Sequence, residues 1–199
     1  NWGINAYSDG RIASLGTVIL VAFLICHFTL SIFTKYKDDH EKEVLYKLAY
    51  SDELTKVYNR RYCERIMDEL TEKKQHYTIF SFDLNNLKKI NDNMGHQYGD
   101  ALISGFANIL KETFTEDAIV GRMGGDEFIV LLDDKDIHSH DHSKEIKKYY
   151  EILERYNRQE ESFQFSASYG YADMEEIKPV DGVVDSRKVY ALADNRMYE

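Results

Sequence analysis

At 199 residues the chain has room for one globular domain of ordinary size and an appendage. With 35 acids against 25 Lys and Arg, its formal net charge is -10, which argues against docking along polymeric nucleic acid, since that needs a basic face. A small phosphate ligand stays open, because a metal ion can bridge carboxylates to phosphates.

The chain begins without methionine and stops at ADNRMYE, inside a helical pattern, so it reads as a piece of a longer protein cut at both ends. From Ile12 to Phe33 no charged residue interrupts IASLGTVILVAFLICHFTLSIF, and a bilayer-spanning helix needs about 20 mainly apolar residues. The expectation is a transmembrane helix over 12–34, with 1–11 as an extracytoplasmic remnant. Lys35 and Lys37 follow at once, whereas only Arg11 stands on the other side, so the C-terminal side reads as cytoplasmic. Residues 35–51 carry mixed charges and a short apolar stripe, Val44, Leu45 and Leu48, which predicts a linker or signalling helix. Cys26 and Cys63 are too scattered for a disulfide framework or a zinc site, and read as small buried hydrophobes.

A globular part is expected over 52–199. Tyr62, Ile66 and Leu70 mark one helical face; YTIFSFD (77–83) is a short apolar strand ending on an acid; Leu102, Phe106, Ile109 and Leu110 form a second helical stripe. AIVGR and FIVLL give two strands around a glycine turn. Ser143 is placed to cap a helix carrying Ile146, Tyr150 and Leu153. FQFSASYGY (163–171) alternates strictly, with Phe163, Phe165, Ala167, Tyr169 and Tyr171 on one face, and a last helix carries Leu192, Ala193 and Met197. The run HSHDH (138–142) sits among acids and reads as a solvated loop rather than a metal cluster. The order α-β-α-β-β-α-β-α, with one helix between the first two strands and a hairpin at the centre, predicts an α+β, antiparallel-centred sheet with packed helices.

Carboxylates at the mouth of a core strand are costly unless something neutralises them. Asp83 closes the first strand and Asp126 sits in the hairpin turn. If those strands are neighbours, the two converge on a shared divalent cation, and a few hard oxygen ligands with room for water and phosphate suit magnesium. A lone Asp at a strand end is ordinarily only a turn residue. The segment DLNNLKKINDNMGHQYGD (83–100) adds free turn amides with a nearby lysine, able to hold a triphosphate. Asn91 and Asp100 add a carboxamide and a carboxylate, which together can read the edge of guanine.

GGDEF at 124–128 is the signature of the GGDEF diguanylate cyclases, and four further stretches resemble that family in order: DELTKVYNRR (52–61), FDLNNLKKINDNMGHQYGD, SASYGYA and ADNRMY (193–198). The resemblance covers the whole soluble part. It implies a palm-like fold related to nucleotidyl cyclases and polymerases, and condensation of two GTP into cyclic di-GMP with loss of two pyrophosphates. By position, Asp83 and Asp126 resemble side-chain ligands of magnesium (manganese being the alternative), with Leu84 lending its carbonyl. Asn91 and Asp100 match the guanine readers; Asn86 and Leu87 match the phosphate-binding turn together with Lys88, which the resemblance counts among the catalytic residues, and Arg122, an arginine before the glycines, is expected to bind substrate. Gly124 and Gly125 let the backbone approach the nucleotide. Either Asp126 or Glu127 is placed to help deprotonate the attacking 3'-hydroxyl, Asp126 ranking first.

Some positions depart from the family pattern. Lys56-Val57 stand where Gly-Leu is more frequent, and Asn85 replaces a frequent second aspartate. The window for the family's R-x-x-D product-inhibition site reads Thr115-Glu116-Asp117-Ala118, which predicts no feedback binding there. The expectation is a diguanylate cyclase held at the inner (plasma) membrane by its N-terminal helix, with a sensor upstream, a cytoplasmic catalytic domain and obligate homodimerisation. The alternative is a catalytically silent GGDEF module that binds GTP or a partner and regulates a neighbour.

Overall fold

The computed structural model describes residues 2–114, 117–133, 141–179, 182 and 184–198, with side chains within these ranges from 17 to 197. The chain divides into two units, 1–49 and 50–199. The first is one helix, α1 (Trp2–Tyr50), so the apolar run and the charged stretch after it share an unbroken helix. Its large apolar side chains from Val18 to Phe33 are 52–66% exposed, which is sustainable only where something apolar covers them. By length and composition it is the one helix among the described residues able to cross a membrane.

The second unit is built on a five-stranded sheet, ordered β1-β3-β4-β2-β5, with β1 (Tyr58–Asn59), β2 (Tyr77–Leu84), β3 (Ile119–Gly124), β4 (Glu127–Asp133) and β5 (Ala167–Asp173). Interior β2 is antiparallel to β4 and to β5, β3 and β4 form the hairpin, and β1 lies parallel to β3. The expected α+β, antiparallel-centred sheet is therefore present. Side chains alternate across a strand, so β2 feeds both layers. Phe80, Phe82 and Leu84, with Phe128 and Val130 of β4, join the core made with α4 (His96–Thr113) and α5 (Ser143–Gln159). Tyr77 and Ile79, with Ile129 and Leu131, join the core made with α2 (Arg60–Glu72) and α6 (Ser186–Asn195).

The helical stripe Leu102, Phe106, Ile109 and Leu110 is completely buried, as its spacing predicts. Each such side chain contributes roughly 1.5–3 kcal/mol by leaving water. Three expectations are corrected. The segment after β2 holds its own short helix, α3 (Leu87–Met94), separated from α4 by Gly95 at φ 95°, a left-handed conformation that glycine takes without strain. Phe163 and Phe165 lie on the predicted core face but outside the sheet, because Asn157 takes both the N–H (2.6 Å) and the carbonyl (2.9 Å) of Phe165. Ser143 is the first residue of α5 rather than its cap, and Asp141 accepts from its N–H at 3.0 Å.

Candidate active site

Asp83, Leu84, Asp126 and Glu127 gather where β2 ends and the β3–β4 hairpin turns. Gly124 (φ 156°) and Gly125 (φ 49°) bend the chain through conformations that L side chains rarely adopt, and open space lies where their side chains would stand. The turn brings Asp126 beside Leu84, whose N–H donates to the Asp126 carbonyl at 3.0 Å, and sets Glu127 directly opposite Asp83. The Leu84 side chain is buried in the core, so only its backbone is available at the mouth.

Arg122 braces this turn from behind. Its Nε and Nη2 donate to the Gly125 carbonyl at 3.0 and 2.8 Å, and its Nη1 reaches the two Asp52 carboxylate oxygens at 3.2 and 3.3 Å. Asp52 also accepts from the Thr55 N–H (2.9 Å) and hydroxyl (2.7 Å). Burial alone would raise the Asp52 carboxyl, but the Thr55 bonds and the Arg122 guanidinium together hold it below its ordinary value. Arg122 is thus directed at Gly125 and Asp52; what it shapes in this structure is the turn.

The carboxylates at the mouth crowd one another. Burial, then the charges of Asp126 and Asp194, push the Asp83 carboxyl up. Burial, then Asp194, Asp126 and Asp83, do the same to Glu127, with Arg60 offsetting part of it. Tyr190 is raised as well, first by burial and then by Glu127 and Asp194, while its bond with Ser81 opposes the rise. Asp194, Arg60 and Asp52 were given no role from sequence. Their motifs, ADNRMY, YNRR and DELT, are legible, but which way a helical or turn residue faces is a tertiary fact. Among the described residues no group of three or more His, Cys, Asp or Glu side chains could hold a metal unaided. Two carboxylates and a main-chain carbonyl, the oxygens expected from sequence, would be hard ligands suited to magnesium if substrate and water completed the shell.

Beyond Leu84 the chain turns at Asn86, itself left-handed (φ 66°), and enters α3 with Leu87 and Lys88 in its first turn. First-turn amides have no intrahelical acceptor and face the positive end of the helix dipole, which suits phosphate. Asn85 is occupied elsewhere, bonding Ser166 through its N–H and its carboxamide. Asn91 stands on α3 and the exposed Asp100 on α4. The Asn91 carboxamide oxygen is buried without a hydrogen-bond partner among the described residues.

The profile of the "Diguanylate cyclase, GGDEF domain" family matches residues 49–199. The chain belongs to the GGDEF diguanylate cyclase family. The probable diguanylate cyclase DgcT of Escherichia coli is 26% identical over 196 residues, covering 97% of this chain and 40% of DgcT. The signaling protein YkoW of Bacillus subtilis is 31% identical over 166 residues, covering 79% of this chain and 20% of YkoW. The chain thus spans two-fifths or less of these relatives. The coiled coil and GGDEF domain of DgcB from Caulobacter crescentus, solved with c-di-GMP, superposes with a TM-score of 0.66 at 21% identity, over 88% of this chain and 92% of DgcB's, which establishes the palm-like fold.

Within this GGDEF domain Asp83, Leu84, Asp126 and Glu127 come together at one mouth, Asn86, Leu87 and Lys88 follow directly, and Asn91 and Asp100 occupy the next two helices. Thr115 and Glu116 of the R-x-x-D window lie outside the described residues, as do residues 138–140 of HSHDH. The solvated-loop expectation fails at His142. It is 4% exposed, with Nε2 3.2 Å from the Thr78 hydroxyl and 3.4 Å from Asp173, because the strand ends there offer buried polar partners.

Proposed function

We propose that this GGDEF domain condenses two GTP into cyclic di-GMP, releasing two pyrophosphates, at the interface of a homodimer. The observation that carries the reading is the register that sets Glu127 opposite Asp83 and brings Asp126 beside Leu84, so that the carboxylates crowd at one mouth, with Arg60 offsetting part of the charge on Glu127. Such a mouth is stable with ligand when a divalent cation and its phosphates balance the charge. Asp83, Asp126 and the Leu84 carbonyl would hold magnesium, with manganese as the alternative. Bound there, the ion would polarise the α-phosphate and offset charge on the leaving pyrophosphate.

The chain's own groups do the rest. Asn86, Leu87 and Lys88 hold the triphosphate; Asn91 and Asp100 read the base; Gly124 and Gly125 leave the mouth clear. Each 3'-hydroxyl attacks the α-phosphate of the partner's GTP, its oxygen forming the new P–O bond as the bond to pyrophosphate breaks. The proton passes to Asp126 or Glu127, with Asp126 ranked first. One domain binds one GTP, so two must face each other, and positioning supplies much of the rate. Residues 12–34 would anchor the chain in the inner membrane, with 35–51 linking to a cytoplasmic catalytic domain from about 52 and a sensor upstream in the same protein.

The test is the chain in lipid nanodiscs with GTP and magnesium, beside Asp126→Ala. Cyclic di-GMP from the native chain alone supports the cyclase. GTP binding without product favours the silent regulatory module.

A further inference from the structure

Glycine in a helix interior is destabilising relative to alanine, so a buried one calls for a reason. Gly99 is the fourth residue of α4 and is buried. A Cβ there would lie 2.0 Å from the Asn91 carboxamide oxygen, 2.9 Å from its carbon and 3.2 Å from its nitrogen. The carboxamide of α3 therefore points its oxygen into the space over the bare backbone of α4, space that exists only because residue 99 has no side chain. Gly95 sets the two helices in this relation by turning the chain at φ 95° between them. The Asn91 oxygen so held is buried and has no hydrogen-bond partner among the described residues. A buried acceptor left open is costly until a donor reaches it.

We propose that Gly99 is a specificity-determining positioning residue: by leaving room for the Asn91 carboxamide it holds the oxygen where the exocyclic amino group of guanine can donate to it. The inference rests on reading this mouth as a GTP site. Gly99 acts through Asn91 and touches no reacting atom. Because the atoms a Cβ would meet belong to the end of the Asn91 side chain and not to backbone, alanine at 99 displaces the carboxamide instead of unfolding the helix. The expected variant is therefore folded, competent in phosphate binding and poor at recognising guanine.

The experiment compares equilibrium binding of 3'-deoxy-GTP and 3'-deoxy-ITP, which lack the attacking hydroxyl and differ at the 2-amino group. The same variants are followed by thermal denaturation and, with GTP, by KM and kcat. The native chain should prefer the guanine compound. Gly99→Ala should weaken it by about tenfold, one hydrogen bond's worth, with the inosine compound little changed. KM for GTP should rise while kcat holds, and the unfolding midpoint should hold or rise, since alanine is the better helix former. In an Asn91→Ala background the same substitution should make no further difference. Equal binding of both compounds by the native chain sinks the guanine reading and the inference with it. A preference retained in Gly99→Ala sinks the inference alone, and so does weakening of equal size with and without Asn91.

Discussion

Removing Arg122 should cost both stability and turnover, and Asp52 should share in both losses. The Arg122 guanidinium makes two bonds to the Gly125 carbonyl and two to Asp52. The two side chains are only 15% and 23% exposed, so solvent screens the pair weakly. Hydrogen bonds to charged groups contribute roughly 1.5–3 kcal/mol each, and overlap among the four leaves about 2–3 kcal/mol for Arg122→Ala. In a domain of this size that lowers the unfolding midpoint by about 4–12 °C. Loosening the turn moves Asp126 against Leu84, and misplacement by about 1 Å costs on the order of a hundredfold in rate. Asp52→Asn keeps the bonds to Gly125, so about 1 kcal/mol and a tenfold loss are expected. The Asp52 carboxyl is held below its ordinary value of 3.8, so its contribution is complete above that pH and fades as pH falls through the lowered pKa. Thermal denaturation and cyclic di-GMP formation measure the two losses. An Arg122→Ala chain with an unchanged midpoint that loses only affinity for GTP would refute the reasoning, because Arg122 would then act on substrate and not on the turn.

Asp83→Asn should abolish turnover yet raise the unfolding midpoint of the metal-free chain at neutral pH. A carboxyl whose folded pKa is raised penalises the fold above that pKa and is relieved as pH falls through it, so the gain should vanish below 3.8; denaturation with EDTA across pH measures this. Tyr149→Phe keeps the ring among Phe82, Phe106 and Tyr169 and removes a buried hydroxyl without a partner among the described residues. It should therefore stabilise by up to about 1–3 kcal/mol in chemical denaturation, and a loss would reveal a partner for that hydroxyl. Lys56 holds φ 58°, a conformation costing roughly 1–2 kcal/mol for a side chain. Lys56→Gly relieves it at about 0.4–1 kcal/mol of added chain entropy, so a net gain of up to about 1 kcal/mol is expected by the same measurement.

What the sequence made legible was whatever a local pattern controls. A short apolar run ending on an acid marked β2 with Asp83 near its end, and a 3.6 period placed Leu102 and Phe106 in the core. Paired glycines before an acid announced the positive-φ turn. β1 escaped because two residues carry no period, and α3 merged with α4 because only the backbone angle at Gly95 divides them. Lys56, set aside as a minor departure from the family's glycine, proves to stand where the turn wants φ > 0. The alternation from Phe163 gave the right face but not the right backbone, since a side chain, Asn157, supplies the bonds a neighbouring strand would have made.

The site separates along the same line. Asp83, Asp126 and Asn91 are recognisable because strand ends, turns and helix starts have local signatures. Asp52 and Asp194 are not, because their influence depends on partners remote in the chain; Asp52 meets Arg122 across 70 positions. These distant residues do different work from the local ones. In the proposed site the motif acids would supply the metal ligands. Asp52 and Arg122 fix where the turn puts them, and Asp194 helps set their charge balance. Substitution at Asp52 should therefore spoil geometry and substitution at Asp194 should shift titration, while both leave the GGDEF motif intact. A domain can thus keep its signature and lose its activity through residues outside it, which is why motif integrity alone is a weaker guide to turnover than the bonds that hold the motif in place.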